Sequence, residues 1–282
     1  MHRVVVIAGE MHTLPEGDQV CGVTSLGEEI YVLRWKGRAE IEVYDVITYL
    51  PLRRLSVPDS GYITDMTSCE HHRCLYASDQ IARCVHRLDV GLQGAAGHTR
   101  WVVNDVPRSV SVNAAHNVLV TCSNFRRMIQ EFTSRGYLLR QISLPDDVTT
   151  PWHAVMTVGG QFLVCHGHLY APVHRVCLLS SDGRQIVHSH GGETGSEPGQ
   201  YRVPRRLAVD RDESVFVLDI LNRRVTLLSP TLDYVREVVS PEQLKWFPYR
   251  MCLDVRRRRL YVTDNGFEDG IYTSGRVVVF SV

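Results

Sequence analysis

Short apolar runs separated by polar turns recur along the whole chain. In the segment from Val203 to Ser240, four such runs follow one another: VPRRLAVD, SVFVLD, RRVTLLS and YVREVV. Arg-Asp-Glu at 211–213 and Ser-Pro-Thr-Leu-Asp at 229–233 lie between them, and residues of this kind are typical of turns. Runs of about five to eight residues have the length of ordinary strands. The pattern therefore predicts an all-β chain.

Groups of four predicted strands repeat at a spacing of about 45 residues. The predicted inner strands begin at six positions: Val20, Ile63, Pro107, Pro151, Pro204 and Pro248. A repeat of this length, built from four short strands, is typical of a β-propeller blade. We therefore predict one domain over residues 1–282, a six-bladed β-propeller with four antiparallel strands per blade. The predicted blades 1 to 6 are residues 20–57, 62–104, 106–144, 151–189, 203–240 and 248–282.

Blade 6 contains only three predicted strands, so closure of the ring requires a strand from elsewhere. Residues 2–9, HRVVVIAG, form an apolar run that belongs to no other blade. We predict that this run is the outer strand of blade 6. Pairing the first strand with the last closes the ring and removes an open sheet edge, which would otherwise favour aggregation. A loose amino-terminal arm is the alternative.

Composition limits the ligands that the chain can attract. Lys plus Arg and Asp plus Glu each number 31, so the formal net charge is zero. A neutral chain has no overall field that would hold nucleic acid or an anionic membrane. The apolar run at the amino terminus is too short for a secretory signal, and no other run approaches the length of a membrane span. We therefore expect a soluble, cytoplasmic monomer without a membrane partner.

The cysteines favour a reduced protein. Four of the eight lie within apolar strand-like runs and are interpreted as small buried side chains: Cys122, Cys165, Cys177 and Cys252. The hairpin Cys69-Glu-His-His-Arg-Cys74 contains ligands for half a zinc site, but no second ligand pair follows at a matching spacing. A polar turn between two strands is therefore the favoured interpretation, and whether Cys69 and Cys74 ever oxidise stays open.

Blade 5 carries a specific motif. Pro204 is followed by LAVD at 207–210 and by VLDILNRRV at 217–225. These residues resemble the NHL repeat, whose core is a proline, an alternating strand that ends in aspartate, and Val-x-Asp-x-x-Asn-x-Arg-Ile. Blade 6 keeps part of the motif, including VTD at 262–264, whereas blade 1 departs most and blade 2 has Cys84 where the arginine of the repeat would stand.

The resemblance implies a recognition domain. NHL propellers of tripartite-motif proteins bind their ligands beside a RING and B-boxes, which this chain lacks, so it is either an excised domain or a free-standing propeller. Asp219 and Arg224 of the motif flank one hairpin. We interpret them as a structural ion pair, because buried polar groups need partners.

The inner strands of a propeller begin at one mouth of its central channel. Residues two places after each blade start should encircle this mouth and form an inner ring: Gly22, Asp65, Ser109, His153, Arg206 and Arg250. One position earlier lies a second ring: Cys21, Thr64, Arg108, Trp152, Arg205 and Tyr249. NHL propellers usually have a small residue at the inner-ring position, so the large polar groups in this chain are a departure that points to function.

Arginines beside aromatic rings at a concave mouth suit a planar or anionic ligand. Guanidinium groups bind carboxylate or phosphate, and the rings stack on bases or side chains. The candidate ligand-binding residues are Asp65, Arg108, Trp152, His153, Arg205, Arg206, Tyr249 and Arg250. The alternative is that the long side chains fill the channel and pair with Asp65, Asp219 and Asp264.

A metal-dependent lyase or hydrolase is the competing interpretation. His153 with His166 and His168 could hold zinc, while Tyr249 acts as acid or base and Arg250 binds an anion. Peptide-amidating lyases are similar in architecture and hold zinc through several inner-strand histidines, whereas lactonases hold calcium through inner-strand Glu, Asn and Asp. Neither set is complete here, and the familiar nucleophile, phosphate-loop and dinucleotide motifs are missing.

We therefore favour a non-catalytic interaction module without a cofactor, which binds a protein segment or single-stranded nucleic acid at the mouth. Zero net charge favours a peptide over RNA, because nonspecific affinity for phosphate would be weak. Two long loops, at residues 191–199 and 265–275, should emerge on the same side of the ring. Loops on a rigid scaffold are where binding residues concentrate.

Overall fold

Six four-stranded antiparallel sheets make up the structure, a computed structural model that describes residues 8–91, 94–123 and 126–282. The first strand along the chain, β1 (Gly9–Thr13), belongs to the last blade. Blade 1 contains β2 (Gln19–Leu26), β3 (Glu29–Trp35), β4 (Ala39–Asp45) and β5 (Pro51–Ser56). Blade 2 contains β6 (Ile63–Cys69), β7 (Cys74–Asp79), β8 (Cys84–Gly91) and β9 (Gly94–Val102).

The remaining blades follow the same plan. Blade 3 contains β10 (Pro107–Val112), β11 (Val118–Cys122), β12 (Met128–Phe132) and β13 (Leu138–Ser143). Blade 4 contains β14 (Pro151–Met156), β15 (Phe162–His166), β16 (Val173–Leu179) and β17 (Ile186–Glu193). Blade 5 contains β18 (Pro204–Val209), β19 (Val215–Asp219), β20 (Arg224–Leu228) and β21 (Tyr234–Val239), and a 3₁₀ turn (Pro241–Gln243) follows it. Blade 6 contains β22 (Phe247–Asp254), β23 (Arg259–Glu268) and β24 (Ile271–Ser281).

The ring closes by pairing of the first and last strands, as predicted. β1 runs antiparallel to β24, with Gly9 opposite Ser281 and Thr13 opposite Val278. Within the described residues the closing strand is Gly9–Thr13, which shares Gly9 with the predicted run at residues 2–9; residues 2–7 of that run lie outside the described part. The prediction of a single six-bladed propeller with four antiparallel strands per blade is confirmed.

Burial falls from the second strand of each blade to the fourth. β11 and β19 are buried along their whole length, because neighbouring blades cover both faces of the sheet. β13, the outer strand of blade 3, exposes all of its residues except Ile142. This gradient explains why the inner runs are continuously apolar in sequence, whereas the outer runs are mixed.

The core lies between neighbouring blades. Between blades 3 and 4, for example, Leu119 and Ile129 belong to one apolar cluster with Phe162 and Val164. Burying a side chain of this size contributes roughly 1.5–3 kcal/mol. Within the described ranges, no helix is long and apolar enough to cross a membrane.

Gly22 shows how tightly the inner strands approach one another. A Cβ atom at this position would lie 2.9 Å from Met66 Cβ and 3.2 Å from Met66 N in blade 2. Contacts that short are not tolerated without movement of the inner strand. In blade 1 the inner ring therefore keeps the small residue that the close approach of the blades requires.

The eight cysteines are free thiols in the structure. Three of them lie fully buried within strands, as predicted: Cys122, Cys165 and Cys177. Cys252 is only partly buried. Cys69 and Cys74 are opposite each other across the β6–β7 hairpin, and burial raises the pKa of Cys74 to about 11. The Cys74 side chain is therefore a protonated thiol near neutral pH.

Candidate functional site

Every inner strand carries a β-bulge close to its start. In blade 5, Pro204 pairs with Asp219 and Arg206 pairs with Leu218, so Arg205 is the extra residue. A register shift occurs at the corresponding point of the other inner strands. A bulge leaves one residue unpaired and redirects its side chain. The bulges therefore separate the inner ring from the second ring, although the two are adjacent in sequence.

Charged members of the inner ring close the central channel. Arg206 and Arg250, from neighbouring blades, both form ion pairs with Asp65 of blade 2. Arg250 Nε lies 3.2 Å from Asp65 Oδ1, and Val110 N donates a hydrogen bond to Asp65 Oδ2 at 2.9 Å. The two arginines are 6% and 4% exposed, and Asp65 is completely buried. These side chains fill the channel and link blades 2, 5 and 6. This is the alternative to ligand binding that the sequence left open, in which the long side chains fill the channel and pair with Asp65.

His153 is the blade 4 member of the inner ring and is also buried. Its Nδ1 accepts a hydrogen bond from Leu207 N at 3.3 Å, and its Nε2 has no hydrogen-bond partner among the described residues. Burial, followed by the charges of Arg206 and Arg250, holds the pKa of His153 well below its ordinary value. The imidazole is therefore neutral near pH 7 and links blade 4 to blade 5.

Arginine and aromatic side chains alternate along the mouth of the channel. We call Arg108, Trp152, Arg205 and Tyr249 the mouth row. The Arg205 guanidinium lies between two rings, 4.4 Å from the centroid of Trp152 and 4.2 Å from that of Tyr249. Its Nη2 donates to the Tyr249 hydroxyl at 2.7 Å, and the Arg108 guanidinium stands 5.5 Å from the Trp152 centroid. Each cation–π contact contributes about 0.5–1 kcal/mol at an exposed site, so the row is ordered before a ligand binds.

Neighbouring backbone fixes the orientation of Trp152. Its indole Nε1 donates to the carbonyl oxygen of Gly167 at 2.7 Å, in the loop that follows β15. Trp152 is also the extra residue of the blade 4 bulge, since Pro151 pairs with His166 and His153 pairs with Cys165. The bulge and the hydrogen bond together present the ring at the mouth.

An apolar pocket of about 280 Å³ opens beside the mouth row. Its wall comes from blades 4, 5 and 6: Trp152, Leu169, Val203, Arg205, Ile220, Leu221, Phe247, Tyr249, Phe267 and Tyr272. Leu169, Phe247 and Phe267 are 51%, 37% and 47% exposed. An exposed patch of large apolar side chains that lines a concavity is typical of a binding surface.

Part of the pocket wall comes from the segment that we expected to be a loop at residues 265–275. The structure instead extends β23 and β24 into a projecting hairpin, in which Phe267 pairs with Tyr272. Their ring centroids are 5.0 Å apart, and the Tyr272 centroid lies 5.3 Å from that of Tyr249. Sequence reasoning did not select Phe267, Tyr272 or Leu169 for the site. The signal that the sequence offered for these three residues was their position in the connections between predicted blade strands.

The two arginines of the mouth row have no carboxylate partner within the described part of the chain. Arg108 donates from Nε to Ser123 Oγ at 3.0 Å, and Arg205 donates to Tyr249. Burial, and then the charge of Arg205, lowers the pKa of Arg108. Two guanidinium groups on either side of Trp152 thus repel each other in a partly buried place. An anion bound between them would relieve this repulsion.

The three histidines proposed for zinc have separate environments. His166 is buried, and burial followed by the charge of Arg175 lowers its pKa to about 4. His168 is exposed, and its Nδ1 accepts a hydrogen bond from Tyr170 N at 3.1 Å. Over the ranges that the structure covers, His153, His166 and His168 do not bring three potential ligand atoms within 4.8 Å of one another, and such a group forms only in blade 2.

The polar residues of the blade 5 motif form a scaffold contact. Arg224 Nε lies 3.4 Å from Asp219 Oδ2, which confirms the predicted ion pair. Asp219 also accepts hydrogen bonds from Arg202 N at 2.8 Å and from Asn222 Nδ2 at 2.6 Å. Blade 6 repeats this arrangement with Asp264, whose Oδ2 lies 2.9 Å from Arg276 Nε. In both blades a carboxylate of the second strand pairs with the arginine opposite it. The same carboxylate accepts hydrogen bonds from backbone N–H groups of the connection that enters the blade: Arg202 in blade 5, and Lys245 and Trp246 in blade 6.

Comparison with known proteins supports the fold. No family model matches the chain, and no curated protein matches it. Among solved structures, the chain is similar to the PQQ-bound aldose sugar dehydrogenase of Streptomyces coelicolor, with a TM-score of 0.68 and 11% identity over 96% of this chain and 98% of that one. It is also similar to hydrazine synthase of Kuenenia stuttgartiensis (TM-score 0.63, 13% identity, 90% of this chain and 94% of that one).

A third similar structure is the β-propeller domain of Cps50 (Swd1) from Myceliophteria thermophila. Its TM-score is 0.59 at 13% identity, over 98% of this chain and 99% of that one. At such low identity these similarities concern the fold alone, since one fold hosts many functions. The function of this chain must therefore be argued from its own site.

Proposed function

We propose that this protein is a non-catalytic interaction module, which binds an extended segment of a partner protein at the mouth of the propeller. The observation that carries the proposal is the Arg205 guanidinium held between Trp152 and Tyr249 beside an open apolar pocket. This arrangement offers a charged and an apolar contact side by side. A peptide with an acidic group next to a large apolar side chain fits both.

The pocket supports the apolar half of the proposal. At about 280 Å³ it lies just below the range of about 300–1,000 Å³ that is common for small-molecule sites. A pocket of this size suits one or two side chains of a peptide better than a large cofactor. Phe247, Phe267 and Leu169 at its rim lose exposed apolar surface when a ligand covers them, and burial of that surface contributes about 25 cal/mol per Å².

The charge pattern supports the acidic half. Arg108 and Arg205 lie on either side of Trp152 and have no carboxylate partner within the described residues. A guanidinium–carboxylate hydrogen bond contributes about 1.5–3 kcal/mol when the groups are partly desolvated. We therefore propose an Asp, a Glu or a terminal carboxylate of the partner as the group that lies across Trp152.

The same pattern favours a protein ligand over nucleic acid. Binding of single-stranded RNA or DNA needs a continuous positive groove along the phosphates. Two other cations on this side of the ring are already paired in the structure: Lys245 lies 2.9 Å from Glu16, and Arg276 pairs with Asp264. Together with a net charge of zero, this arrangement supports a peptide with one or two acidic groups.

We extend the proposal to a monomeric, cytoplasmic protein of the NHL type. The motif from Pro204 to Val225 supports the family, and the eight free thiols are consistent with a reducing compartment.

Selection from a random peptide display library tests the proposal, because the library samples many candidate segments at once. We expect enriched peptides to share an acidic residue beside a large apolar one. Arg205→Ala should weaken the binding of a selected peptide by about 10–100-fold, as expected for loss of a charge-assisted hydrogen bond. Arg211→Ala is the matched control, because Arg211 is exposed in the β18–β19 turn at the opposite mouth.

Two results would contradict the proposal. In the first, selected peptides bind the Arg205→Ala variant as tightly as the unchanged protein. In the second, no peptide is enriched, while a single-stranded oligonucleotide binds and is lost on the same substitution.

A further inference from the structure

Blade 2 lacks the arginine that neutralises a buried aspartate in blades 5 and 6. Asp219 stands opposite Arg224 across β19 and β20, and Asp264 stands opposite Arg276 across β23 and β24. At the corresponding place in blade 2, Asp79 ends β7 and stands opposite Cys84. A buried carboxylate is costly unless it is paired or coordinates a metal. In blade 2 the Asp79 carboxylate must therefore be compensated by groups other than an arginine.

The side chains around Asp79 are potential metal ligands. His86 Nε2 lies 3.3 Å from Asp79 Oδ2 and 3.4 Å from Cys84 Sγ. The three potential ligand atoms all lie within 4.8 Å of one another, and all three residues are buried. Cys84 and His86 are two residues apart on β8, so they project from the same face of the sheet. Asp79 meets them there because it pairs with Cys84.

The separations between these atoms fit a small tetrahedral ion. Zinc binds nitrogen and oxygen at about 2.0–2.1 Å and sulfur at about 2.3 Å, so neighbouring ligand atoms of a tetrahedral site are roughly 3.3–3.7 Å apart. The two separations of 3.3 and 3.4 Å agree with this spacing. Thiolate, imidazole and carboxylate together favour zinc over calcium or magnesium, which take oxygen ligands alone.

Neighbouring groups hold the ligands in place. His86 Nδ1 lies 2.9 Å from Nε2 of His98 on β9. A metal-bound histidine is oriented by a hydrogen bond from its second ring N–H to an acceptor, and the unprotonated Nε2 of a neutral His98 can accept from His86 Nδ1–H. Asp79 is held by the backbone N–H groups of Gly61 and Ala82, which donate to Oδ2 at 2.5 Å and to Oδ1 at 2.9 Å. The ligand set is therefore preorganised.

We propose that Asp79, Cys84 and His86 supply three of the four ligands of a structural site for a divalent transition-metal ion, zinc by its ligand type, with a water molecule as the fourth ligand and His98 as a positioning residue behind His86. The ion supplies the positive charge that Arg224 supplies in blade 5. It joins β7 to β8 and, through the Gly61 contact, to the connection between blades 1 and 2. The site is separate from the mouth row and does not depend on the peptide-binding proposal.

Cobalt titration of chelator-treated protein under reducing conditions tests the site. We expect one equivalent of Co²⁺ to bind with a thiolate-to-cobalt band in the near ultraviolet and visible bands of a tetrahedral ion, both lost on addition of Zn²⁺. Cys84→Ser should abolish the thiolate band. His98→Gln should keep the band and weaken the affinity by about 10–100-fold, as expected for loss of a group behind a ligand.

Two further variants keep the test decisive if Cys84→Ser fails to fold. Cys122→Ser is the matched control, since Cys122 is a buried cysteine at the end of β11 outside the ligand group; it should bind cobalt as the unchanged protein does. Cys84→Arg copies the residue found in blade 5, and we expect it to fold without metal and to show no cobalt bands. The proposal is overturned if the unchanged protein shows no thiolate band with Co²⁺, or if Cys84→Arg shows the same band.

Discussion

Asp65→Asn removes the carboxylate that Arg206 and Arg250 share in the channel. Asp65 is completely buried, and the arginines are 6% and 4% exposed. The substitution therefore leaves two buried guanidinium charges without an ionic partner at this place. Removal of one member of a buried ion pair costs about 3–5 kcal/mol, mainly because the remaining charge is uncompensated. We expect the free energy of unfolding to fall by this amount.

Urea unfolding followed by circular dichroism and tryptophan fluorescence measures the loss. A lower midpoint with an unchanged slope reports reduced stability rather than a different unfolded state. Asp18→Asn provides the control, because Asp18 lies 3.7 Å from Lys36 and the two side chains are 44% and 76% exposed. Exposed ion pairs contribute about 0–1 kcal/mol.

A combined variant separates the charge effect from the effect of shape. The triple variant Asp65→Leu, Arg206→Met and Arg250→Met removes all three charges of this buried group. Replacement of a whole buried ionic set by apolar residues is often neutral or stabilising, so this variant should recover most of the lost stability. If Asp65→Asn costs no more than Asp18→Asn, the reasoning that ion pairs join the blades across the channel is refuted.

Two other perturbations test the packing and the titration of buried groups. Gly22→Ala places a Cβ atom 2.9 Å from Met66 Cβ, so we expect the free energy of unfolding measured in urea to fall by about 1–3 kcal/mol. Gly9→Ala is the control: its Cβ atom would have open space around it, so the free energy of unfolding should change little. The pKa of His166 is about 4 in the folded state, below the ordinary 6.5, so the unfolded chain takes up a proton at this histidine more readily than the folded chain does. The stability that the neutral, buried His166 contributes is therefore present above pH 6.5 and is lost as the pH falls toward 4. Between pH 7 and pH 5 this loss is about 2 kcal/mol. His166→Gln should remove that part of the pH dependence, and equal losses in both proteins would contradict the assignment.

The fold could be predicted from the sequence because burial in a propeller follows the repeat. Inner and second strands are enclosed on both faces, so their apolar runs mark every blade. The closing strand was harder to place. β1 (Gly9–Thr13) has the sequence GEMHT, with its first three residues exposed and the other two only partly buried, so no apolar run marks it. The predicted run at residues 2–9 overlaps β1 at Gly9, and its residues 2–7 lie outside the described part of the chain.

The site was only partly predictable because bulges leave no signature in sequence. Arg205 and Arg206 are consecutive and look alike, yet one lies in the mouth row and the other in the buried channel. The β-bulge after Pro204 produces this difference. Counting residues from the blade start therefore identified the right segment but placed both rings at the mouth.

The ligand group in blade 2 shows a further limit of sequence reasoning. Replacement of the motif arginine by Cys84 was visible in the sequence. His86 and His98 were not selected, because their ring nitrogens meet only when β8 pairs with β9. The spacing of Asp79, Cys84, His86 and His98 matches no familiar zinc motif. Cross-strand pairing creates the group.

Hydrogen–deuterium exchange with and without a selected peptide tests the central claim most directly, because it reports where the ligand lies. The account predicts slower exchange at the mouth, in the β15–β16 loop at 167–172 and in the β23–β24 hairpin around Phe267. Exchange in the β18–β19 turn at 210–213, at the opposite mouth, should not change. Protection confined to that opposite mouth or to the outer strands would contradict the claim that the mouth row binds the partner.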